Sequence, residues 1–150
     1  MNGFTLDNSV GEFFLSHPRM KLPKNAKTYF LDYRYYHLVN DAVRKFLDHC
    51  NKIEDHSPGL YSNKTTGCMV ADVHRILLNG GIFLYPAMTG MPHGKLRLMY
   101  ECNPFAFLAE LCGGMAINGK IRILDLIPQN IHERCPVFMG NKELILKLIR

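Results

Sequence analysis

Near the start of the chain, "GFTLD" and "EFFLS" are short runs with apolar residues flanked by polar ones, and each reads as a strand. The turn-like "NSVG" separates them, and together they predict a hairpin of two strands. "HPRMKLPKNAKTY" (17–29) carries Pro18 and Pro23 and reads as loop. The spacing then switches to a helical period. Asn40 is placed to cap a helix whose inward positions are Val43, Phe46, Leu47 and Cys50. "NKIEDHSPGLYSNKTTG" (51–67) is polar and reads as loop. A second helix is expected from about Cys68 to Leu78, with Gly80 ending it. "GIFLY" (81–85) is a fully apolar strand, 86–94 is loop, and "KLRLMYE" (95–101) is the next strand.

Asn103 as N-cap and Pro104 at the first helical position predict a third helix, which Gly113 and Gly114 stop. Phe105, Leu108, Ala109 and Cys112 form one face and Phe107 and Leu111 another. Such a helix is apolar nearly all round and should be deeply buried. "IRILDLI" and "PVFMG" are further strand candidates. Asn141 is placed to cap a last helix with Leu144, Ile145, Leu148 and Ile149 inward. Strands alternating with helices argue for a layered α/β domain.

Composition narrows the function classes. A chain of 150 residues is expected to form one domain, and it is 47% hydrophobic and 21% charged, which is ordinary globular material. The net charge of +5 favours anionic partners. Lys and Arg are scattered, with no basic run and no nucleic-acid motif, so phosphate-bearing small molecules are favoured over nucleic acid. The five cysteines, Cys50, Cys68, Cys102, Cys112 and Cys135, form no C-x-x-C pair and mostly fall within apolar patterns. They read as buried thiols of a reducing compartment. The N-terminus has no signal-peptide pattern and no apolar run has the length of a membrane span, so a cytoplasmic location is expected.

Ligands of layered α/β sheets bind beyond the carboxyl ends of strands. Glu101, at the predicted strand-to-helix junction, is placed for that role, and its carboxylate suits a hard cation such as Mg²⁺. The competing reading is an acid interacting favourably with a helix N-terminus. Lys95 lies six residues earlier. On an extended strand the two Cα atoms would be at most about 20 Å apart, enough to address opposite ends of an elongated anion. Asp72 and Arg75 are spaced to pair on one helix, and His132 and Arg134 read as framework.

Five stretches carry a family resemblance: "FTLDNSVGEFFL", "MVADVHRILLNGGIFLYPA", "GKLRLMYECNPFAFLAELCGGMA", "GKIRILDLIP" and "IHERCPVFMGN". Together they resemble the C-terminal half of class 1 fructose-1,6-bisphosphatase, from about Gly3 to Leu148. The resemblance implies a layered α/β/α domain with a mixed sheet. It also implies a Mg²⁺-dependent phosphatase that hydrolyses the 1-phosphate of fructose 1,6-bisphosphate in gluconeogenesis. Carried over by position, Lys95 resembles a lysine contacting substrate phosphate and sugar oxygens. Tyr85 and Tyr35 resemble phosphate-binding tyrosines, Met69 a methionine whose backbone meets the sugar, and Glu101 the single metal ligand of this half. For the aromatic residues, core packing is the competing reading.

The family's N-terminal half, with an acidic cluster and an Asp-Pro-Leu-Asp-Gly-Ser-Ser type motif, holds most metal ligands and has no counterpart in these residues. The chain alone is therefore expected to be an incomplete, inactive half, and no catalytic residue is assigned. The pocket also departs from the family. Asp32, Tyr33 and Arg34 stand where the family has Asn-Glu-Gly, Lys64 and Thr65 replace an Arg-Tyr pair, Cys68 replaces a serine and Gly90 a lysine. By the same resemblance Lys64 is a substrate-binding residue: it keeps the charge of an arginine that reaches into a neighbouring subunit's 6-phosphate site, without its bidentate fork. Asp32 should repel phosphate unless neutralised, and Arg34 is near enough in sequence to compensate. The alternative to a half-enzyme is a non-catalytic protein that binds a sugar phosphate, such as fructose 6-phosphate, or a partner chain. A homo-oligomer, or association with a complementary N-terminal half, is expected to cover the apolar bulk of Phe4, Phe13, Phe14 and Leu15.

Overall fold

The computed structural model describes residues 1–52 and 61–149. In chain order the strands are β1 (Gly3–Asp7), β2 (Glu12–His17), β3 (Thr28–Phe30), β4 (Ser62–Asn63), β5 (Ile82–Tyr85), β6 (Leu96–Arg97), β7 (Met115–Ile117), β8 (Arg134–Cys135) and β9 (Val137–Gly140). The helices are α1 (Asp41–Asn51), α2 (Met69–Asn79), α3 (Asn103–Leu111) and α4 (Lys142–Leu148). Five strands form one mixed sheet in the order β4-β3-β5-β9-β7. β3 runs parallel to both β4 and β5, while β9 runs antiparallel to β5 and β7.

The period of two along the central strands divides the core into two layers. Tyr29, Leu31, Ile82, Leu84 and Phe138 pack with α1 and α4 on one face. Phe30, Phe83, Val137 and Met139 pack with residues of α2 and α3 on the other. Helices on both faces of a mixed sheet make the expected α/β/α layering.

Local sequence explains the start of α1 and the end of α2. The Asn40 side chain accepts the Val43 N–H at 3.0 Å, and Val43, Phe46, Leu47 and Cys50 are buried. Gly80 ends α2 with φ +75°. Asn141 precedes α4 but does not cap it with its side chain. Instead its Oδ1 accepts the Gly81 N–H at 2.7 Å and its Nδ2 donates to the Pro23 carbonyl at 2.8 Å. The sheet closes tightly beside it. A Cβ on Gly140, where φ is +136°, would lie 2.1 Å from the Gly81 carbonyl oxygen. Four of the five thiols are buried and Cys68 is exposed.

Several expectations fail. β3 lies partly in the predicted loop 17–29 and β4 lies in the predicted loop 51–67, of which residues 53–60 fall outside the described residues. "KLRLMYE" is a strand only at Leu96–Arg97, which pairs with β8. From Leu98 to Cys102 the backbone winds into a wide π turn continuous with α3. Asn103 is therefore already helical and is not an N-cap, because the backbone before it supplies the preceding turn. α3 is not covered all round. Ala106 and Ala109 are buried, but Phe107 and Leu111 remain 55% and 43% exposed, since only one side of the helix meets the sheet. "IRILDLI" forms a single 3₁₀ turn at Ile123–Asp125, anchored by buried Ile123. Ile149 is not inward but 48% exposed, just beyond the end of α4. Asp72 and Arg75 do not pair: Asp72 turns back to the preceding loop, while Arg75 donates to the Lys64 carbonyl at 3.3 Å.

Candidate functional site

The carboxyl ends of the parallel strands β3 and β5 open onto a cavity of about 200 Å³. Lys95, Tyr85, Tyr35 and Met69 all line it, although they come from four separate segments of the chain. Tyr85 ends β5. Tyr35 ends a 3₁₀ turn, Tyr33–Tyr35, that follows β3. The two rings are tilted at 56° with centroids 6.0 Å apart. Burial pushes the Tyr85 phenol well above its ordinary pKa of 10.0, and a hydrogen bond shared with Tyr35 pushes it in the same direction. Tyr85 is therefore a neutral hydrogen-bond donor at physiological pH.

Lys95 reaches the cavity because Gly94 brings the chain against β8. A Cβ on Gly94, with φ +73°, would lie 2.6 Å from the Cys135 carbonyl carbon and oxygen. Arg134 then donates to the Lys95 carbonyl oxygen. Lys95 lines the cavity and is itself exposed, so the residue stands at the solvent edge of the cavity rather than within the core.

Asp32 caps the 3₁₀ turn and also binds Arg34. Its Oδ1 accepts from the Arg34 N–H at 3.1 Å and from Nε at 3.0 Å, while Oδ2 lies 2.5 Å from Nη2. Hydrogen bonding by Arg34 holds the Asp32 carboxyl below the usual carboxylate range. Both residues line the cavity, so the carboxylate expected to repel phosphate is already paired.

The far wall depends on a contact that sequence spacing did not single out. Asp72 is 1% exposed. Its carboxylate accepts from Thr65 Oγ1, from the Thr66 N–H and from Thr66 Oγ1, each at 2.8 Å. These bonds fix the 65–68 loop before α2 and set Thr65, Gly67 and Met69 against the cavity. The available signal was a pair of threonines shortly before an Asp in the first turns of a helix.

Lys64 and Glu101 lie away from the cavity lining. Lys64 is exposed, and its N–H donates to the Tyr29 carbonyl at 3.1 Å. Glu101 lies in the π turn, not at a strand end. Its Oε2 accepts the Arg97 N–H at 2.6 Å and forms an ion pair with Arg97 Nε at 3.0 Å. Winding of the backbone after Arg97 also shortens the span from Lys95 to Glu101 below that of an extended strand. Among the described residues, no three His, Cys, Asp or Glu side chains group to hold a metal ion.

The sequence profile described as "Fructose-1-6-bisphosphatase, C-terminal domain" matches residues 22–150. This chain belongs to that family. A fructose-1,6-bisphosphatase class 1 from Chloroherpeton thalassium is 48% identical over 143 residues, covering 95% of this chain and 41% of the relative. Another, from Cytophaga hutchinsonii, is 46% identical over 148 residues, covering 99% of this chain and 43% of the relative. The chain thus spans about two-fifths of the length of these relatives. The family match covers β3 to α4 and so includes every segment that lines the cavity. No helix among the described residues is long and apolar enough to cross a membrane.

Proposed function

We propose that this chain is the sugar-phosphate-binding domain, residues 1–150, of a fructose-1,6-bisphosphatase-type protein. Its cavity would bind fructose 6-phosphate or the corresponding end of fructose 1,6-bisphosphate. The observation that carries the reading is the meeting of Lys95, Tyr35, Tyr85 and Met69 on one cavity at the carboxyl ends of parallel strands. Lys95 supplies a cation, the tyrosines supply phenolic donors, and Met69 closes the wall. Lys64, away from this lining, is assigned to a subunit contact rather than to the cavity itself.

The family reaction, hydrolysis of the 1-phosphate with Mg²⁺, requires more than this chain's described residues supply. Magnesium is held by oxygen ligands, and Glu101 is the only carboxylate here assigned to it. That carboxylate is engaged by Arg97, and no metal-holding group surrounds it. The described residues alone do not fit a Mg²⁺ site. The isolated chain is therefore expected not to release phosphate from fructose 1,6-bisphosphate. A second reading, a non-catalytic sugar-phosphate-binding protein, is favoured by the Asp32–Arg34 pair, which sets an ion pair of no net charge into the cavity lining at positions where the resemblance implies Asn and Gly.

Association with a second copy or a complementary half would suit both readings. Cross-strand pairing of Phe4 with Leu15 and of Leu6 with Phe13 puts four apolar side chains on one face of the hairpin. All four are at least 45% exposed. Contiguous apolar surface of this kind marks an interaction site, for a second copy or for a complementary half. A soluble protein of the cytoplasm fits this assignment.

Calorimetric titration with fructose 6-phosphate tests the reading. Binding that weakens at least tenfold in Lys95→Ala supports it. Binding unchanged by that substitution removes Lys95 from the site and the reading with it.

A further inference from the structure

A second concavity lies between α1 and α4. It measures about 480 Å³ and is lined by Ala42, Lys45, Phe46, His49, Lys147 and Leu148. Helical spacing accounts for the set. Ala42, Lys45, Phe46 and His49 follow the i, i+3, i+4, i+7 pattern that puts them on one face of α1, and Lys147 and Leu148 are neighbours on α4. Phe46 and Leu148 are each 5% exposed and form an apolar floor. Ala42, Lys45, His49 and Lys147 are exposed and form the rim.

The rim is cationic because the acids of both helices are committed elsewhere. On α1, Asp41 pairs with Arg44 at 3.0 Å and Asp48 accepts from the Tyr36 hydroxyl at 2.5 Å. On α4, Glu143 stands at pairing distance in sequence from Lys147, four residues on, but accepts from Asn141 Nδ2 at 3.2 Å instead. Lys147 Nζ meets a hydroxyl rather than a carboxylate, that of Tyr61 at 3.4 Å. The Tyr61 ring leans in turn on His49, with centroids 6.1 Å apart. Among the described residues Lys45 has no ion-pair partner, and no carboxylate lines the cleft.

This chemistry selects a ligand. An ammonium donates hydrogen bonds and accepts none, so two lysines hold an anion but leave the hydroxyls of a sugar without acceptors. A hydroxyl placed against Phe46 and Leu148 loses water and gains no partner, whereas an apolar body there gains buried area. Like charges above a low-dielectric floor also concentrate anions. The volume falls within the range of small-molecule sites, about 300–1,000 Å³.

We infer that the α1–α4 cleft is a binding site for a small carboxylate with an apolar body, such as a medium-chain fatty acid. The carboxylate meets Lys45 and Lys147, and the chain lies on Phe46, Leu148 and Ala42. The cleft shares no lining residue with the cavity of Tyr35 and Lys95, and the inference does not depend on the sugar-phosphate reading.

The test titrates octanoate, and separately 1-octanol, into the ¹⁵N-labelled chain at one ionic strength. Octanoate is expected to give saturable amide shifts on residues 42–49 and 147–148. 1-Octanol has the same chain length and no charge, and should bind about tenfold more weakly. The Lys45→Gln/Lys147→Gln double variant should lose octanoate by a similar factor. Ala42→Glu sets a carboxylate on the rim, in the first turn of α1 where an acid suits the helix N-terminus, and should also weaken octanoate. These positions are exposed, so the variants keep their core. If 1-octanol binds as well as octanoate, or the variants bind octanoate within twofold of wild type, the inference is overturned. Shifts confined to the apolar β1–β2 hairpin, or no saturable shift, overturn it equally. Fructose 6-phosphate shifts on residues 31–35 and 95–96 report the other cavity, so failure of this inference and failure of the sugar-phosphate reading remain distinguishable.

Discussion

Glu101 and Arg97 close a five-residue loop on themselves: the glutamate accepts the arginine's backbone N–H at 2.6 Å and pairs with its side chain at 3.0 Å. A side chain that resembles a metal ligand is thereby holding the strand-to-helix turn together. The Arg97 guanidinium lies over the Tyr100 ring at 5.0 Å, and the Tyr100 hydroxyl is 2.9 Å from His132 Nδ1, so the turn is tied to the segment before β8.

Replacing Glu101 by alanine should therefore cost stability in the isolated chain, by about 1–2 kcal/mol for a charge-assisted bond that is partly exposed. Urea unfolding should show a lower midpoint with an unchanged slope. Addition of millimolar Mg²⁺ should leave the wild-type thermal midpoint unmoved, because a single engaged carboxylate gives the ion little to bind.

Asp72→Ala should be more damaging. It leaves the Thr66 N–H and two threonine hydroxyls without their common acceptor next to the core. A loss of about 2–4 kcal/mol is expected, lowering the melting temperature by roughly 5–12 °C. Asp72→Asn should recover part of it, since the amide oxygen still accepts.

The Asp32–Arg34 pair has a pH signature with a definite sign. Arg34 lowers the folded-state pKa of Asp32 below the ordinary 3.8. Its contribution is thus fully present above the unfolded pKa and is lost as pH falls through the lower, folded one. An NMR titration of the Asp32 carboxyl carbon should show a midpoint below 3.8 that returns towards it in Arg34→Gln. The stability effect itself should be small, because both groups face solvent.

The β1–β2 hairpin should drive association. Sedimentation at micromolar concentration is expected to show a dimer or larger species that resists moderate salt. Phe4→Ser combined with Phe13→Ser should yield a monomer with little change in melting temperature, because both residues are exposed in the single chain. Wild-type protein that sediments as a monomer and does not bind a hydrophobic dye would contradict this.

Sequence pattern located the elements whose burial is strongly periodic. α1 follows from Asn40 and four spaced apolar residues, and β5 and β9 follow from uninterrupted apolar runs. The pattern was silent where pairing depends on distant partners. β4 has two polar residues, Ser62 and Asn63, and is a strand only because β3 lies beside it. The same limit applied to Leu98–Cys102, whose mostly apolar run fits a strand but which winds because it leads directly into α3. Among site residues, the resemblance led to Lys95, Tyr85, Tyr35 and Met69, which the fold brings onto one cavity. Glu101 and Lys64 lie elsewhere, for the energetics of single residues do not reveal which partner a charged side chain will find. The Asp72–Thr65–Thr66 contact left only a weak sequence signal, two threonines before a helical Asp, and Arg75 at helical spacing offered a more obvious partner.

The central claim is that the cavity of Tyr35, Tyr85 and Lys95 binds a sugar phosphate. It is tested most directly by mapping backbone amide shifts in ¹⁵N-labelled protein titrated with fructose 6-phosphate at constant ionic strength. A wider cleft, of about 480 Å³, lies between α1 and α4 beside Lys45, His49 and Lys147, and provides an internal comparison. The account predicts saturable shifts clustered on residues 31–35, 65–69, 84–85 and 95–96, and their loss in Lys95→Ala. Shifts confined to the lysine-rimmed cleft, or a cavity response that survives Lys95→Ala, would contradict it.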